Sequence, residues 1–286
     1  MLQSLPRIHY NSCIMLTKIA LAQMYVEPGN IESNYSRGQA MIDAAAESGC
    51  NLVLLPELWT SGYPIESPEK ISQQNFELIK LLMETASDKA LFIGGSYLVQ
   101  EGSKFYNRFI FLNPKSDIPV YYDKIHLFKP LHEDKFLSEG RNITVCNAFN
   151  VNIGISICYD LRFPELFRAY AASQVNLIAL AAEWPLSRIN QWKILIQARA
   201  VENQALFAAV NSVGKTRVDT FGGTSLLVDP YGNILCSGSD SDECLLTADC
   251  DLELAASYRH EFPVLQSQRK DLFEIHQRDN NVPTES

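Results

Sequence analysis

Short apolar segments of strand length alternate with longer segments of helical periodicity along nearly the whole chain. Lys18–Met24 and Leu52–Leu55 have the composition of buried strands, whereas Ile31–Ser48 between them has helical spacing and stops before Gly49. Alternating strands and helices predict a layered α/β fold, and several adjacent strands late in the chain predict a mixed sheet. The other predicted helices are Pro68–Ser87, one starting at Pro164, and Ser187–Asn203; the other predicted strands are Leu91–Val99, Phe105–Leu112, Val151–Cys158, Val175–Ala181, Leu206–Asn211, Thr224–Val228, Asn233–Cys236 and Glu243–Asp249.

The pattern contains no break that would mark a second domain. No linker rich in Pro, Gly or Ser, no charge block and no fixed-period repeat interrupts the 286 residues. We therefore expect one domain over residues 15–277, with residues 1–14 as an N-terminal extension and the polar residues 278–286 as a tail. The regular pattern begins at Met15, which leaves Met1 and Met15 as alternative natural starts.

The charge balance narrows the class of partner. The chain has 24 Lys and Arg residues against 33 Asp and Glu residues, a net charge of −9. Nucleic acids and anionic membrane surfaces are bound through excess positive charge, which this chain lacks. No apolar run reaches the roughly 18 residues that a membrane-spanning helix needs. The sequence thus predicts neither a nucleic-acid partner nor a membrane partner.

The cysteines and histidines predict reduced thiols and no metal centre. The seven Cys residues form no CxxC pair and the five His residues are scattered, which favours the cytoplasm and disfavours a zinc site. His132-Glu133 begins like an HExxH motif, but Phe136 stands where the second His belongs. No Gly-rich phosphate loop is present either, so we predict neither a metal nor another cofactor.

Three chemically reactive side chains stand where apolar runs stop. Glu57 follows LVLLP, Lys124 follows PVYYD, and Cys158 ends the run VNIGISI. In layered α/β folds, ligands bind in the crevice beyond the strand ends. An acid, a cation and a thiol at this edge would together form a reaction centre.

Cys158 is the candidate nucleophile. The segment CYDLRFPELFRAY changes abruptly from apolar to polar, and Pro164 suits a first helical turn. A thiol just before a helix N-terminus is exposed to partial positive charge, which predicts a stabilised thiolate. The alternative is a buried Cys that serves as a small hydrophobic side chain.

Glu57 and Lys124 are candidates for acid–base and electrostatic roles. A carboxylate directly after four apolar residues is costly to desolvate unless it is paired or functional, which suits a general base. A Lys near an amide carbonyl can stabilise an oxyanion. The alternatives are a surface Glu in the loop after the strand and a surface ion pair between Lys124 and Asp123.

Together these segments resemble the carbon–nitrogen hydrolase (nitrilase) superfamily. LLPELWTSGYP is similar to the glutamate motif of that family, YYDKIHLF to its lysine motif and GISICYDLRFPELFR to its cysteine motif, in the family's order. The resemblance covers nearly all of the chain after residue 15. It implies a four-layer α-β-β-α sandwich of two mixed sheets with helices on both outer faces.

The resemblance also implies roles for individual residues. Glu57 would be the general base, Lys124 the oxyanion stabiliser and Cys158 the nucleophile. The backbone N–H of Tyr159 would be a second oxyanion donor. A second catalytic glutamate of the family falls on Glu133 in LHEDKFLSEG; from the sequence alone, Glu133 could equally be a solvated loop carboxylate.

The local sequence narrows the substrate. Typical nitrilases follow the cysteine with Trp-Glu, whereas this chain has Tyr159-Asp160, which favours amides over nitriles. The segment AAEWPLSRINQWKILIQARAVENQ resembles the ω-amidase branch, which hydrolyses the terminal amide of 2-oxoglutaramate and related acids. Gln191 and Glu183 depart from the residues that are commoner in that branch.

Such substrates carry a carboxylate remote from the amide, for which a bidentate Arg is the natural receptor. Arg162 and Arg188 are the candidates, with structural ion pairing as the alternative for each. The predicted activity is amide hydrolysis through a cysteine thioester with release of ammonia. Alternatives are an N-carbamoyl amino acid or aliphatic amide hydrolase, and a catalytically silent binding protein. The family implies a homodimer or a larger homo-oligomer.

Overall fold

The computed structural model describes residues 16–63, 65–217, 219–269 and 271–272. The extension predicted over residues 1–14, the tail predicted over residues 278–286 and Met15 lie outside these residues. The domain boundaries and the natural start therefore stay predictions.

Two six-stranded sheets and a small hairpin account for the strands of the described residues. The strands are β1 (Thr17–Gln23), β2 (Leu52–Leu54), β3 (Phe92–Glu101), β4 (Lys104–Leu112), β5 (Val120–Asp123), β6 (Val145–Ala148), β7 (Val151–Ile157), β8 (Leu177–Ala182), β9 (Leu206–Asn211), β10 (Val213–Lys215), β11 (Thr220–Gly222), β12 (Leu226–Val228), β13 (Ile234–Ser237) and β14 (Cys244–Cys250). The α-helices are α1 (Ile31–Glu47), α2 (Pro68–Lys89), α3 (Glu133–Phe136), α4 (Pro164–Ala172), α5 (Ile189–Asn203) and α6 (Leu254–Glu261).

Both sheets are mixed. The first has the order β14-β1-β2-β3-β4-β5 and the second the order β13-β12-β9-β8-β7-β6. The parallel pairs lie at the centre of each sheet, β1 with β2 and β2 with β3 in the first, β7 with β8 and β8 with β9 in the second. Antiparallel strands complete both edges, as expected for the adjacent late strands in the sequence.

Strand alternation separates two apolar layers on either side of the first sheet. Ile19 and Leu21 of β1 belong to the cluster that also holds Ile155 of β7, whereas Ala20 and Ala22 pack with residues of α1 and α2. The helices α1 and α2 thus cover one sheet, and α4 and α5 cover the other. The predicted four-layer α-β-β-α sandwich is confirmed.

Gly154 shows how closely the second sheet packs on its helices. It lies on β7, and a Cβ at this position would come within 2.9 Å of the Tyr170 ring on α4. A larger side chain would push α4 away from the strand that ends at Cys158. The glycine therefore helps to fix the position of that strand end.

The structure corrects several predicted boundaries. The helix predicted over Ser187–Asn203 begins at Ile189, because Leu186–Arg188 forms a separate 3₁₀ turn after Pro185. The strand predicted over Val151–Cys158 ends at Ile157. The strands β6, β10 and β11 and the helices α3 and α6 were not predicted as elements, because they are short and their sequences are too polar for a clear apolar period. No helix in the described part of the chain is long and apolar enough to span a lipid bilayer.

Candidate active site

Four strand ends converge on one cleft. Glu57 follows β2, Lys124 directly follows β5, Cys158 directly follows β7, and Glu183 directly follows β8. These side chains come from both sheets and from distant parts of the sequence. The sandwich therefore brings together the three residues that the sequence analysis selected and one that it had marked only as a departure.

The backbone at Cys158 makes a sharp turn. Its φ angle is +41°, in the left-handed region that a residue with a side chain rarely adopts. A 3₁₀ turn over Cys158–Arg162 follows immediately, and α4 begins only at Pro164. Strain of this kind persists where the surrounding structure holds it, and it lifts the thiol out of the strand toward the cleft.

Asp160 supplies much of that surrounding structure. Its carboxylate is fully buried and accepts hydrogen bonds from the backbone N–H of Ile157 at 2.9 Å and of His126 at 3.0 Å. It also accepts a hydrogen bond of 2.7 Å from the Tyr122 hydroxyl, and it lies 2.7 Å from Nδ1 of His126. Asp160 thus ties the segment that carries Lys124 to the turn that carries Cys158.

Lys124 bridges two carboxylates. Its Nζ lies 2.7 Å from Oε1 of Glu57 and 2.8 Å from Oε1 of Glu133, and its side chain is 1% exposed. Burial alone would lower the pKa of Lys124, but the two carboxylates outweigh burial and raise this pKa well above its ordinary value. The alternative ion pair with Asp123 does not form, because Asp123 pairs with Arg108 at 2.6 Å.

Glu133 is an integral part of this cluster. The residue is 3% exposed, so it is not the solvated loop carboxylate that the sequence left open. Besides Lys124, its Oε1 accepts the Tyr63 hydroxyl at 2.7 Å, and its Oε2 accepts the backbone N–H of Phe128 at 2.8 Å. These bonds fix the carboxylate in one orientation.

Glu57 is equally buried and equally well held. Its Oε1 accepts Nδ2 of Asn107 at 2.8 Å in addition to Lys124, and its Oε2 accepts the backbone N–H of Glu183 at 3.0 Å. The residue is 1% exposed, which excludes a surface position. These three donors, each within 3.0 Å, hold the carboxylate in one orientation.

The thiol of Cys158 lies against Glu57 and is partly open to the cleft. Burial, and then the negative charge of Glu57, raises the pKa of Cys158 well above its ordinary value, although Lys124 acts in the opposite direction. The prediction that the neighbouring helix N-terminus stabilises Cys158 as a thiolate is therefore wrong for the resting site. The geometry instead presents a neutral thiol next to a carboxylate that can remove its proton.

The cleft above these groups has a cavity volume of about 40 Å³ and is lined by aromatic and charged side chains. Arg162 and Arg188 line it as well, and neither forms an ion pair with a carboxylate of the described residues. Arg162 lies 4.7 Å above the Trp184 ring and donates to Gln191 at 2.8 Å. Burial, and then repulsion from Arg188, lowers the pKa of Arg162.

Tyr63, Asn107 and Asp160 were not selected from the sequence. Tyr63 lies within the glutamate motif and Asp160 within the cysteine motif, so their positions carried a signal that only the resemblance could have supplied. Asn107 is a fully buried polar residue within β4, where an isolated Asn in an apolar strand is the only sign of a role. Within the described ranges, no group of three His, Cys, Asp or Glu side chains is arranged to hold a metal ion.

The fold and the buried cluster of Cys, Lys and Glu side chains define an enzyme that hydrolyses carbon–nitrogen bonds. A family model described as carbon-nitrogen hydrolase matches residues 18–260, and the chain belongs to this family. The resemblance found in the sequence is thereby confirmed.

Relatives of known function extend over almost the whole chain. The chain is 32% identical over 257 residues to the 2-oxoglutaramate amidase of Bacillus subtilis (strain 168), covering 89% of this chain and 98% of that protein. It is 31% identical over 270 residues to Omega-amidase NIT2 of Mus musculus, covering 90% and 97%. The crystal structure of XC1258 from Xanthomonas campestris, a CN-hydrolase superfamily protein with an arsenic adduct in its active site, superposes with a TM-score of 0.83 at 28% identity, covering 89% of this chain and 97% of that one.

Proposed function

We propose that this enzyme hydrolyses the terminal amide of small carboxylic acids, such as the ω-amides of 2-oxo dicarboxylic acids, and releases ammonia. The observation that carries this proposal is the pair of guanidinium groups, Arg162 and Arg188, on the wall of a cleft that ends at Cys158 and Glu57. Two cations without carboxylate partners among the described residues leave a place for the carboxylate of a substrate. Relatives named for 2-oxoglutaramate and for ω-amides support the same substrate class.

The first half-reaction forms a thioester. Glu57 takes the proton of the Cys158 thiol as the sulfur attacks the amide carbonyl. Lys124 and the backbone N–H of Tyr159 hold the oxyanion of the tetrahedral intermediate, and one such donor is worth roughly 10²–10³ in rate. Glu57 then returns the proton to the nitrogen, the C–N bond breaks, and ammonia leaves.

The second half-reaction releases the acid. Glu57 is again an ionised base, and it removes a proton from a water molecule that attacks the thioester. Glu133 shares Lys124 with Glu57, and Oε1 of Glu133 and of Glu57 lie 2.8 Å and 2.7 Å from Nζ. From there Glu133 holds Lys124 in place and helps to orient the water, and the thiol is regenerated when the C–S bond breaks.

An ammonia-release assay tests the proposal. The ω-amides of 2-oxo acids are compared with glutamine, asparagine, a neutral aliphatic amide and an N-carbamoyl amino acid. We expect kcat/KM for the carboxylate-bearing ω-amides to exceed that of a neutral amide by about 10- to 100-fold, the value of one or two charge-assisted hydrogen bonds. A neutral amide or an N-carbamoyl substrate that is hydrolysed equally well would contradict the assignment.

Two variants connect the activity to the site. Cys158→Ala should abolish ammonia release while the fold is retained, and activity near the wild-type level would refute the thioester mechanism. The silent binding protein would be supported instead if the wild type released no ammonia from any of these substrates. Arg188→Leu should raise KM for the carboxylate substrates and leave a neutral amide unaffected. Arg269→Leu is the matched control, because Arg269 pairs with Asp271 at 2.6 Å on an exposed segment.

Assembly and compartment complete the proposal. Ile194 and Val201 on α5 are 66% and 46% exposed, and a second copy of the chain would remove such apolar surface from water. Six cysteines in the described residues are free thiols, which suits the cytoplasm. Light scattering of the purified protein should give at least a dimer, and a monomeric mass at micromolar concentration would refute that assignment.

A further inference from the structure

Glu183 carries a buried carboxyl group at the wall of the cleft. The residue is 6% exposed, it lines the cleft, and neither of its side-chain oxygens meets a hydrogen-bond donor among the described residues. Leaving such a group unpaired in a protein interior costs stability. A residue kept for structural reasons would pair with a neighbouring donor.

The other two carboxyl groups of the centre have no such freedom. Both oxygens of Glu57 accept hydrogen bonds, from Lys124, Asn107 and the backbone of Glu183. Both oxygens of Glu133 accept hydrogen bonds as well, from Lys124, Tyr63 and the backbone of Phe128. Of these three carboxyl groups, only that of Glu183 is available to a ligand on both oxygens.

The position of Glu183 indicates which part of a ligand it meets. Its backbone N–H lies 3.0 Å from Oε2 of Glu57, the group that returns the proton to the leaving nitrogen. Glu183 is therefore next to the scissile end of the cleft. Arg162 and Arg188 supply the charges that suit a remote carboxylate.

The substrate carries the kind of hydrogen-bond donor that the Glu183 oxygens lack. An ω-amide of a 2-oxo acid offers acceptors at its carboxylate, its oxo group and its amide oxygen, and it offers N–H donors only at the amide nitrogen. A primary amide has two such N–H groups. One can face Glu57, which leaves the other for a second acceptor.

We propose that the Glu183 carboxyl group accepts a hydrogen bond from the –NH₂ of the scissile amide and thereby makes the enzyme select primary amides over esters and N-alkylated amides. This inference rests on the proposed amide hydrolysis. Burial, and then the charge of Glu57, raises the pKa of Glu183 well above its ordinary value, although Lys124 opposes this. In either protonation state the carboxyl group keeps an oxygen that can accept this hydrogen bond.

The test compares an amide and an ester that form the same acyl-enzyme. The monoamide and the methyl monoester of one dicarboxylic acid leave an identical thioester on Cys158, so their difference reports on the leaving group alone. The variants are Glu183→Met, which removes the acceptor at similar length, and Glu183→Gln, which keeps a carbonyl oxygen. Glu84→Met, at an exposed position of α2, is the control.

We expect Glu183→Met to lower kcat/KM for the monoamide by about 10- to 100-fold and to change that for the ester by less than about threefold. Glu183→Gln should retain most of the amide activity, and Glu84→Met should match the wild type. Equal losses for amide and ester would show a structural role and overturn the inference. Wild-type kcat/KM of Glu183→Met for both the amide and the ester would overturn it as well.

Failure of the proposed function would look different. If the wild type hydrolysed no carboxylate-bearing amide, the substrate proposal would fail in the ammonia-release assay before any Glu183 variant is made. The amide-to-ester comparison would then be made with propionamide and methyl propionate, and the outcomes for Glu183 would keep the same meaning. The two proposals thus fail in separate measurements.

Discussion

Removing the shared cation Lys124 should destabilise this protein far more than removing an ordinary lysine. In Lys124→Met, Glu57 and Glu133 lose hydrogen bonds of 2.7 and 2.8 Å. A hydrogen bond to a charged group contributes about 1.5–3 kcal/mol, so two such bonds amount to roughly 3–6 kcal/mol. Part of this is recovered because the ammonium no longer has to be desolvated, and breaking a buried pair costs about 3–5 kcal/mol in other proteins. We therefore expect a loss of about 3–5 kcal/mol in the free energy of unfolding at pH 8.

The pH dependence gives the prediction its sign. The pKa of Lys124 is raised in the folded state, so the stabilisation by its charge is complete below its unfolded pKa and is lost only as the pH rises through the folded value. Between pH 5.5 and pH 8 this wild-type contribution is therefore constant. In the variant, two buried carboxylates repel each other unless one takes up a proton. The loss should consequently be largest at pH 8 and smaller at pH 5.5.

Urea unfolding monitored by circular dichroism at both pH values measures this difference. Lys80→Met is the matched control, because Lys80 forms an exposed pair with Glu77 at 3.1 Å and both side chains are more than half exposed. Such a pair contributes about 0.5 kcal/mol or less. A loss below about 1 kcal/mol for Lys124→Met at pH 8, or a loss that does not shrink at pH 5.5, would refute the reasoning.

Three further perturbations follow from the same contacts. Because burial and the charge of Glu57 raise the pKa of Cys158, Glu57→Gln should lower the pH midpoint of iodoacetamide labelling at Cys158, read by mass spectrometry; an unchanged midpoint would exclude the coupling. The pKa of Glu183 is raised in the folded state, so above the unfolded pKa of about 4.3 folding must take up a proton, and this costs more stability as the pH rises. Glu183→Gln removes that cost and should therefore raise the melting temperature more at pH 8 than at pH 5. A gain that is the same at both pH values would contradict this prediction. Asp160→Asn places an amide N–H₂ against the N–H and O–H donors that the carboxylate now accepts. It should lower the free energy of unfolding by about 2–4 kcal/mol and kcat/KM at least tenfold. A loss of less than about 0.5 kcal/mol in the free energy of unfolding would show that Asp160 does not hold the turn.

The layered architecture was predictable because long apolar strands carry their own signal. β1, β7 and β9 are six or seven residues long and mostly buried, and the predicted segments overlap all three. β6, in contrast, is a four-residue strand with the sequence VCNA and alternating exposure. It exists because it pairs antiparallel with β7, and a partner strand cannot be identified from the four residues themselves.

The candidate site divides in the same way. Glu57, Lys124 and Cys158 were found because a polar residue directly after an apolar run is a local signal. The state of the Cys158 thiol was predicted in the wrong direction because the sequence shows the neighbouring helix start but neither the burial of the thiol nor the approach of Glu57 across the sandwich. The sequence thus shows which charged groups are neighbours along the chain, whereas the pKa of a buried group depends on contacts that only the fold creates.

The balance of charges in the active site gives a physical reason to expect a role for Glu183, which the sequence analysis noted only as uncommon at its position. One ammonium, on Lys124, faces three carboxyl groups, and its hydrogen bonds go to Glu57 and Glu133. The third carboxyl can remain in this dry cluster only by keeping its proton or by meeting a ligand that donates to it. If its role is recognition, stability and discrimination must change in opposite directions, so that Glu183→Met gains melting temperature and loses its preference for the amide over the ester. A variant that gains stability and keeps that preference would show that the unpaired carboxyl contributes nothing to the choice of substrate.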